Sequence, residues 1–133
     1  MADAVTSQTI FDGARKAIMK FTNISDGTGE SAVLKVDVSE LASQDGAACT
    51  SVNIEKIEAI TQGMAVDILW DATTDVICLT IGTDQFQTYD FTRFGGLPNN
   101  AGAGKTGDIR FTTIGHASGD RYTIILEMIK NYG

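Results

Sequence analysis

The sequence is poor in the residues on which many enzymes and metal sites depend. It has one histidine, His116, together with one proline and two cysteines among 133 residues. A single histidine excludes a histidine pair for a metal ion or a proton relay. Nucleophilic catalysis also has no visible base beside Cys49 or a serine. We therefore predict a protein that is not an enzyme and that uses no cofactor and no metal.

The two cysteines are too few for a disulfide framework. Cys49 stands in a polar stretch of small residues and Cys78 in a strongly apolar segment, so we expect reduced thiols, with Cys78 acting as a small buried hydrophobe. A disulfide between the two is the alternative. A chain of 133 residues can bury roughly two-thirds of its unfolded surface in one domain, so it needs neither a disulfide nor a metal for stability.

Long apolar runs and clustered positive charge are scarce as well. The longest apolar runs, such as residues 122–126, fall far short of the ~20 residues that a membrane helix needs. The first residues lack a basic start followed by an apolar run, so we expect no secretion signal. The basic residues are scattered from Arg15 to Lys130, and the formal net charge is −7. Because binding to duplex nucleic acid needs a basic patch, we expect no nucleic acid as a partner. The short apolar runs lead us to expect no membrane as a partner.

What the chain does contain is short segments in which apolar and polar residues alternate. Met64, Val66, Ile68 and Trp70 share one face of such a segment. Residues 71–74 then connect it tightly to residues 75–81, which predicts a β-hairpin. About eight such segments, separated by turn signals, predict an all-β chain. The expected architecture is a single domain over residues 1–133, an antiparallel β-sandwich or a jelly-roll-like barrel.

Two segments fit this pattern less clearly. In residues 51–61, isoleucines recur every three positions, which suits a helix, but β-branched residues are abundant. We predict a strand with a bulge near Lys56 and Ile57. Residues 6–9 are polar and precede Ile10 and Phe11. We expect residues 1–12 to form a mobile amino-terminal arm that either frays or docks on a neighbour.

The stretch from Gly95 to Gly119 holds half of the 14 glycines and the one proline. Within it, Gly104-Lys105-Thr106 matches the end of a phosphate-binding loop. Asn99 stands where that motif needs its first glycine, and a strand pattern follows where a helix should begin. We therefore interpret residues 95–107 as one long glycine-rich loop, shaped to turn and to lie close to another surface, where we expect a subunit contact. Phe94 and Leu97 either insert into a neighbour or cap the end of their own core.

Two further groups of residues suggest binding sites, each with a simpler explanation. Four aspartates near strand ends could hold calcium, but no segment has the EF-hand spacing and aspartate is common in turns. They are Asp71, Asp75, Asp84 and Asp90. Four aromatic residues could form a platform for sugars, although Trp70 shares a face with core residues. They are Trp70, Tyr89, Phe91 and Tyr122.

Four segments of the chain together carry a resemblance to a known family. They are MAVDILWD (64–71), FTRFGGL (91–97), GAGKTGDIRFTT (102–113) and YTIILEMIK (122–130). Together they resemble small virion structural proteins of tailed bacteriophages, especially myoviruses that infect cyanobacteria and other aquatic bacteria. The resemblance covers roughly residues 50–130. It implies a capsid decoration or cement protein, with a tail or neck component as the alternative.

The resemblance also implies partners and a location. The partners would be the major capsid protein or other virion proteins, bound by symmetric copies or a homo-oligomer on the particle. The chain would be made in the bacterial cytoplasm and would end in the virion. The candidate interface residues are Ile10, Phe11, Phe94 and Leu97. A carbohydrate-binding β-sandwich module is a second hypothesis from a different functional class.

Overall fold

Two antiparallel sheets form this protein, as seen in a computed structural model that describes residues 4–43 and 46–132. The strands are β1 (Ala4–Asp12), β2 (Lys16–Ile24), β3 (Val33–Val36), β4 (Cys49–Gln62), β5 (Ala65–Trp70), β6 (Val76–Ile81), β7 (Phe86–Asp90), β8 (Ile109–Ile114) and β9 (Arg121–Tyr132). The strand order is β1-β2-β9-β4-β7 in the first sheet and β3-β8-β5-β6 in the second. This confirms the all-β prediction and selects the sandwich, because the described strands do not close into a barrel.

The long strands β4 and β9 lie side by side and form the centre of the first sheet. In β9 every second side chain from Tyr122 to Lys130 is buried, and the residues between them are half-buried. The segment with ambiguous periodicity is part of strand β4, and its register shifts between Ile54 and Lys56. The predicted strand with a bulge is therefore confirmed. The bulge explains why the buried Ile54 and Ile57 are three residues apart, whereas Ile60 is 47% exposed on the other face of β4.

The core lies between the two sheets and is built around aromatic side chains. Phe111 of β8 makes edge-to-face contacts with Phe21 of β2 and Tyr122 of β9, with ring centroids 5.4 and 5.8 Å apart. Trp70 is 1% exposed and is part of the same core. Aromatic pairs in this geometry add to the free energy gained from burial alone. Trp70 is thus a core residue.

The expected mobile arm is instead a strand. Residues 4–12 form β1, which pairs antiparallel with β2 from Ala4 opposite Ile24 to Asp12 opposite Ala17. Residues 1–3 lie outside the described ranges. The sequence of β1 shows no apolar alternation because eight of its nine residues are exposed. A strand that buries neither face leaves no period of two in its sequence.

Both cysteines are free thiols, Cys49 buried and Cys78 half-buried. Burial raises the pKa of each thiol, that of Cys78 to about 12. In the part of the chain that the structure describes, no helix has the length and apolar character to cross a membrane.

Candidate docking edges of the sandwich

The glycine-rich loop, residues 95–107, lies against its own domain. Leu97 continues the line of β7 along β4, because its N–H donates to the carbonyl oxygen of Ile54 at 2.8 Å and its own carbonyl oxygen accepts from the Ile54 N–H at 3.0 Å. Gly96 lies so close to β4 that a Cβ would stand 3.1 Å from the Ile54 oxygen. Leu97 is half-buried against the core. It caps its own core, which is the second of the two alternatives that the sequence left open.

The later part of the loop is fixed to the turn between β5 and β6. The N–H of Thr73 donates to the Ala103 oxygen at 3.1 Å, and the Thr106 hydroxyl donates to the Asp71 carboxylate at 2.7 Å. Gly107 has a φ of +87°, and a Cβ there would collide with the carbonyl oxygen of Thr50. The close approaches that glycines 96, 104 and 107 allow are to other residues of the same chain, and the expected contact with another subunit stays a prediction. The Gly-Lys-Thr residues take part in that attachment, and strand β8 follows them as predicted.

The four aspartates considered as calcium ligands are used separately, three in turns and one in an ion pair. Their partners are the N–H groups of Ala72 for Asp75, Gly63 for Asp84 and Thr92 for Asp90, and the guanidinium of Arg110 for Asp71. Hydrogen bonds from Thr92 lower the pKa of Asp90. Among the described residues, no group of three or more histidine, cysteine or acidic side chains is placed to hold a metal ion.

The four predicted interface residues do not form one surface. Ile10 and Phe11 lie near the end of β1 and are 50% and 53% exposed, while Phe94 is 55% exposed in the short 3₁₀ turn after β7. β1 and β7 are the two outer strands of the five-stranded sheet. Four inter-strand spacings separate them, roughly 19 Å. The structure therefore presents two candidate docking edges, and Leu97 is half-buried beside the β7 edge.

The β1 edge is long, regular and uncharged. The strand pairs on one side with β2, and no other described strand pairs with its outer side. The register shift between Thr9 and Phe11 leaves Ile10 as the extra residue of a bulge, so residues 4–9 form the straight part. No side chain from residue 4 to residue 11 carries a charge. An edge of this kind presents unpaired backbone N–H and C=O groups to any extended segment.

The other three edges are shorter or partly covered. Strand β3 has four residues, and its Lys35 side chain points inward and is 6% exposed. Strand β6 lies beside the glycine-rich loop, where Ile77, Cys78 and Pro98 help to line a cavity of about 240 Å³. Strand β7 has five residues, and Leu97 continues its line. Short strands, inward charges and covering loops are the ordinary means of protecting a sheet edge. Edge β1 has the least of this protection.

A buried ion pair in the core was missed by the sequence interpretation. Lys35 and Glu30 are 2.5 Å apart with side chains 6% and 5% exposed, and the Tyr122 hydroxyl donates to Glu30 at 2.6 Å. In the sequence, Lys35 stands between Leu34 and Val36, and simple alternation would place Leu34 inward and Lys35 outward. The register shift in β3 reverses this and leaves Leu34 44% exposed. The only signal in the sequence was a lysine inside an apolar strand.

A groove of about 310 Å³ runs between the β1 edge and the β3 edge, on the side of the sandwich that the glycine-rich loop does not cross. One wall carries the hydroxyls of Ser7 and Thr9, and the other carries the carboxylates of Asp37 and Glu40. Met19 forms part of its apolar floor. The β1 edge and this groove together form a surface suited to an extended chain.

Comparisons with known proteins add no family to this description. No protein-family model matches the chain, and a search of curated proteins returns no match.

Proposed function

We propose that the chain is a non-enzymatic structural protein of a tailed-phage virion, a capsid decoration or cement protein that docks on the major capsid lattice. The observation that carries this proposal is β1, a nine-residue strand with eight exposed residues and a free edge. The resemblance of residues 50–130 to small virion proteins supports the same function. A tail or neck component would use the same edge on a different virion protein.

The docking chemistry is adhesive and needs no reacting group. Ile10 and Phe11 expose about half of their side chains next to the free edge, and burying that half stabilises a contact by about 1 kcal/mol for each residue. Such a contact is weak alone. Symmetric copies on a particle multiply weak contacts into high avidity, because each bound copy holds its neighbours at high effective concentration.

A carbohydrate-binding function has less support. Two of the four aromatic residues considered for a sugar platform are in the core, Trp70 at 1% and Tyr122 at 2% exposure. Tyr89 and Phe91 are partly buried against the same core. A sugar-stacking platform needs exposed ring faces, which these residues do not supply together.

The test is co-sedimentation with capsids of the encoding phage that lack this protein. The double variant Ile10→Ser/Phe11→Ser should lose most of its occupancy, because it removes the apolar contact beside the free edge. Phe86→Ser is the matched control, since Phe86 is 84% exposed on the opposite outer strand. It should bind as the native chain does.

Two results would contradict the proposal. One is native occupancy by the β1 variant on capsids. The other is no binding of the native chain to capsids, tails or necks. Electron microscopy of decorated particles then assigns the bound copies to the head, the tail or the neck.

A further inference from the structure

The straight part of β1 can accept one more strand. We infer that residues 4–9 bind an extended, basic segment of another protein, which adds as a sixth strand to the five-stranded sheet. Residues alternate along an edge strand in the direction of their N–H and C=O groups, so half of these groups on β1 point away from β2 and lack a strand partner. Strand addition uses such groups for affinity and alternate side chains for specificity. This inference rests on the proposed docking function and specifies the chemistry of the partner.

The register shows where the side chains of an added strand would point. Ser7 pairs with Phe21, and Thr9 pairs with Met19. Phe21 is fully buried between the sheets, so Ser7 and Thr9 face the second sheet, where they form a wall of the groove. Opposite residues in a pair share a face of the sheet. Every second side chain of a bound segment would therefore enter the groove.

The charge of the groove defines those side chains. Asp12 and Lys35 also line the groove. Asp12 is paired with Lys130, and Lys35 is paired with the buried Glu30, so these charges are neutralised. Two carboxylates remain, Asp37 and Glu40, and among the described residues neither has a lysine or arginine within ion-pair distance. Asp37 accepts hydrogen bonds from Ser39 inside its own turn. Lysine or arginine at alternate positions of the segment matches this charge.

The same charges argue against a second copy of this chain as the occupant. Residues 4–11 contain no lysine or arginine, so a second β1 offers nothing to Asp37 or Glu40. Antiparallel pairing of two β1 edges would also turn the two grooves toward each other and bring their carboxylates closer together. Each copy carries a formal net charge of −7, which adds repulsion.

The first test measures which peptide the free edge prefers. Three capped peptides as long as β1, alternating Thr with Lys, Ser or Glu, are titrated against the whole chain at low ionic strength by fluorescence anisotropy. The Lys peptide should bind best, roughly 3- to 10-fold more tightly than the Ser peptide, because two exposed ion pairs contribute modestly. The Glu peptide should bind least. Equal affinities, or no binding of the Lys peptide, would overturn the inference.

Variants then locate the contact. The double variant Asp37→Asn/Glu40→Gln keeps the side-chain shape and the hydrogen-bonding oxygens but removes both charges. The ratio of the affinity for the Lys peptide to that for the Ser peptide should therefore fall to about one. Hydrogen exchange should show new protection of amides in residues 4–9 when the Lys peptide is bound. A preference that survives the double variant, or protection confined to Phe86–Asp90, would overturn the inference.

Proline substitutions test the strand pairing itself. Ser7→Pro and Gln8→Pro are neighbours, and one of them removes an outward N–H while the other removes a donor to β2. The variant that lacks the outward N–H should lose peptide binding while it stays folded. Thermal melting shows which of the two variants keeps its fold. If neither keeps it, Ser7→Glu takes their place, since a carboxylate on the groove wall should weaken Lys-peptide binding. Sedimentation should show a monomer, and a dimer that these variants disperse would favour a second copy instead.

The peptide and capsid experiments separate this inference from the proposed function. If capsids bind the native chain but the charge variant keeps full occupancy, docking stands and the basic segment is excluded. If the Lys peptide protects β1 but capsids do not bind, the strand-addition site stands and the virion assignment fails.

Discussion

The two long sides of this sandwich differ in how far the chain covers them. On one side the glycine-rich loop, residues 95–107, crosses from β4 to the turn between β5 and β6 and covers the space beside β6 and β7. On the other side a groove separates the straight part of β1 from β3, and the segment after β3 reaches the first sheet at the end of β1, where the Ala42 N–H donates to Asp12. The chain thus uses thirteen residues to cover one side and leaves the longer edge free. This contrast points to the β1 side for docking and to the loop side for stability.

The largest expected difference is in the chemical reactivity of Cys78, which lies beside Leu97 and Pro98 under the loop. Burial raises the pKa of this thiol to about 12, and only the thiolate reacts. At pH 8 the folded chain should react roughly 10³-fold more slowly than the unfolded chain. The measurement is the rate with a thiol-specific reagent in a Cys49→Ala background.

A second variant shows whether the loop causes this protection. Leu97→Ala removes the side chain that covers the cavity beside Cys78, and the reaction should become faster than in the parent. Phe94→Ala is the control, because Phe94 is exposed and does not line this cavity. A Cys78 that reacts as quickly when folded as when unfolded would mean that both sides of the sandwich are open.

A smaller effect is expected where the loop is attached to β4. Gly107→Ala places a Cβ against the Thr50 oxygen at a backbone φ of +87°. The strained φ and the collision together should lower the free energy of unfolding by about 2–4 kcal/mol, measured by chemical denaturation. Gly102→Ala is the matched control, since nothing lies within 4 Å of its added Cβ. It should stay within about 0.5 kcal/mol of the native chain, and equal losses in both variants would show that the loop is not fixed at Gly107.

The loop also shows what the sequence could and could not predict. Glycines at positions 96, 104 and 107 indicated a backbone with positive φ and close approaches, and all three have positive φ. The sequence could not say which surface is approached, because a local pattern reports conformation and not the contacting partner. The approach is to Ile54, Thr73 and Thr50 of the same chain. The expected contact with another subunit therefore stays a prediction.

Alternation of apolar and polar residues predicted side-chain burial in some strands and not in others. Met64, Val66, Ile68 and Trp70 were predicted to share a buried face, and all four are buried. Alternation worked there because one face of β5 packs on the core and the other is less buried. It failed at β1, where both faces are exposed, and at β3, where a register shift turns Lys35 inward. The candidate docking edge was therefore visible in the sequence only through Ile10 and Phe11.

The smallest expected effect comes from Asp108, which touches both sides of the sandwich. Its carbonyl oxygen accepts from Asp71 at the attached end of the loop, and its carboxylate accepts from the Val38 N–H near the groove. Burial raises the pKa of this carboxyl, and the nearby charges of Asp37 and Asp71 raise it further. A carboxyl whose pKa is raised by folding stabilises the fold below its ordinary pKa, and that stability is lost as pH rises through the folded value.

Asp108→Asn should therefore gain stability relative to the native chain as pH rises from below the ordinary value of 3.8 toward neutrality. Urea denaturation across that range measures the difference. Asp90→Asn should behave in the opposite way, since hydrogen bonds from Thr92 lower the pKa of Asp90. The charge of Asp90 stabilises the fold above the ordinary pKa, and this contribution is lost as pH falls through the folded value. If the stability of both variants relative to the native chain changes in the same direction with pH, the raised pKa of Asp108 is contradicted. Changes in opposite directions would show that the charged carboxylate of Asp108, where the covered and open sides meet, destabilises the fold.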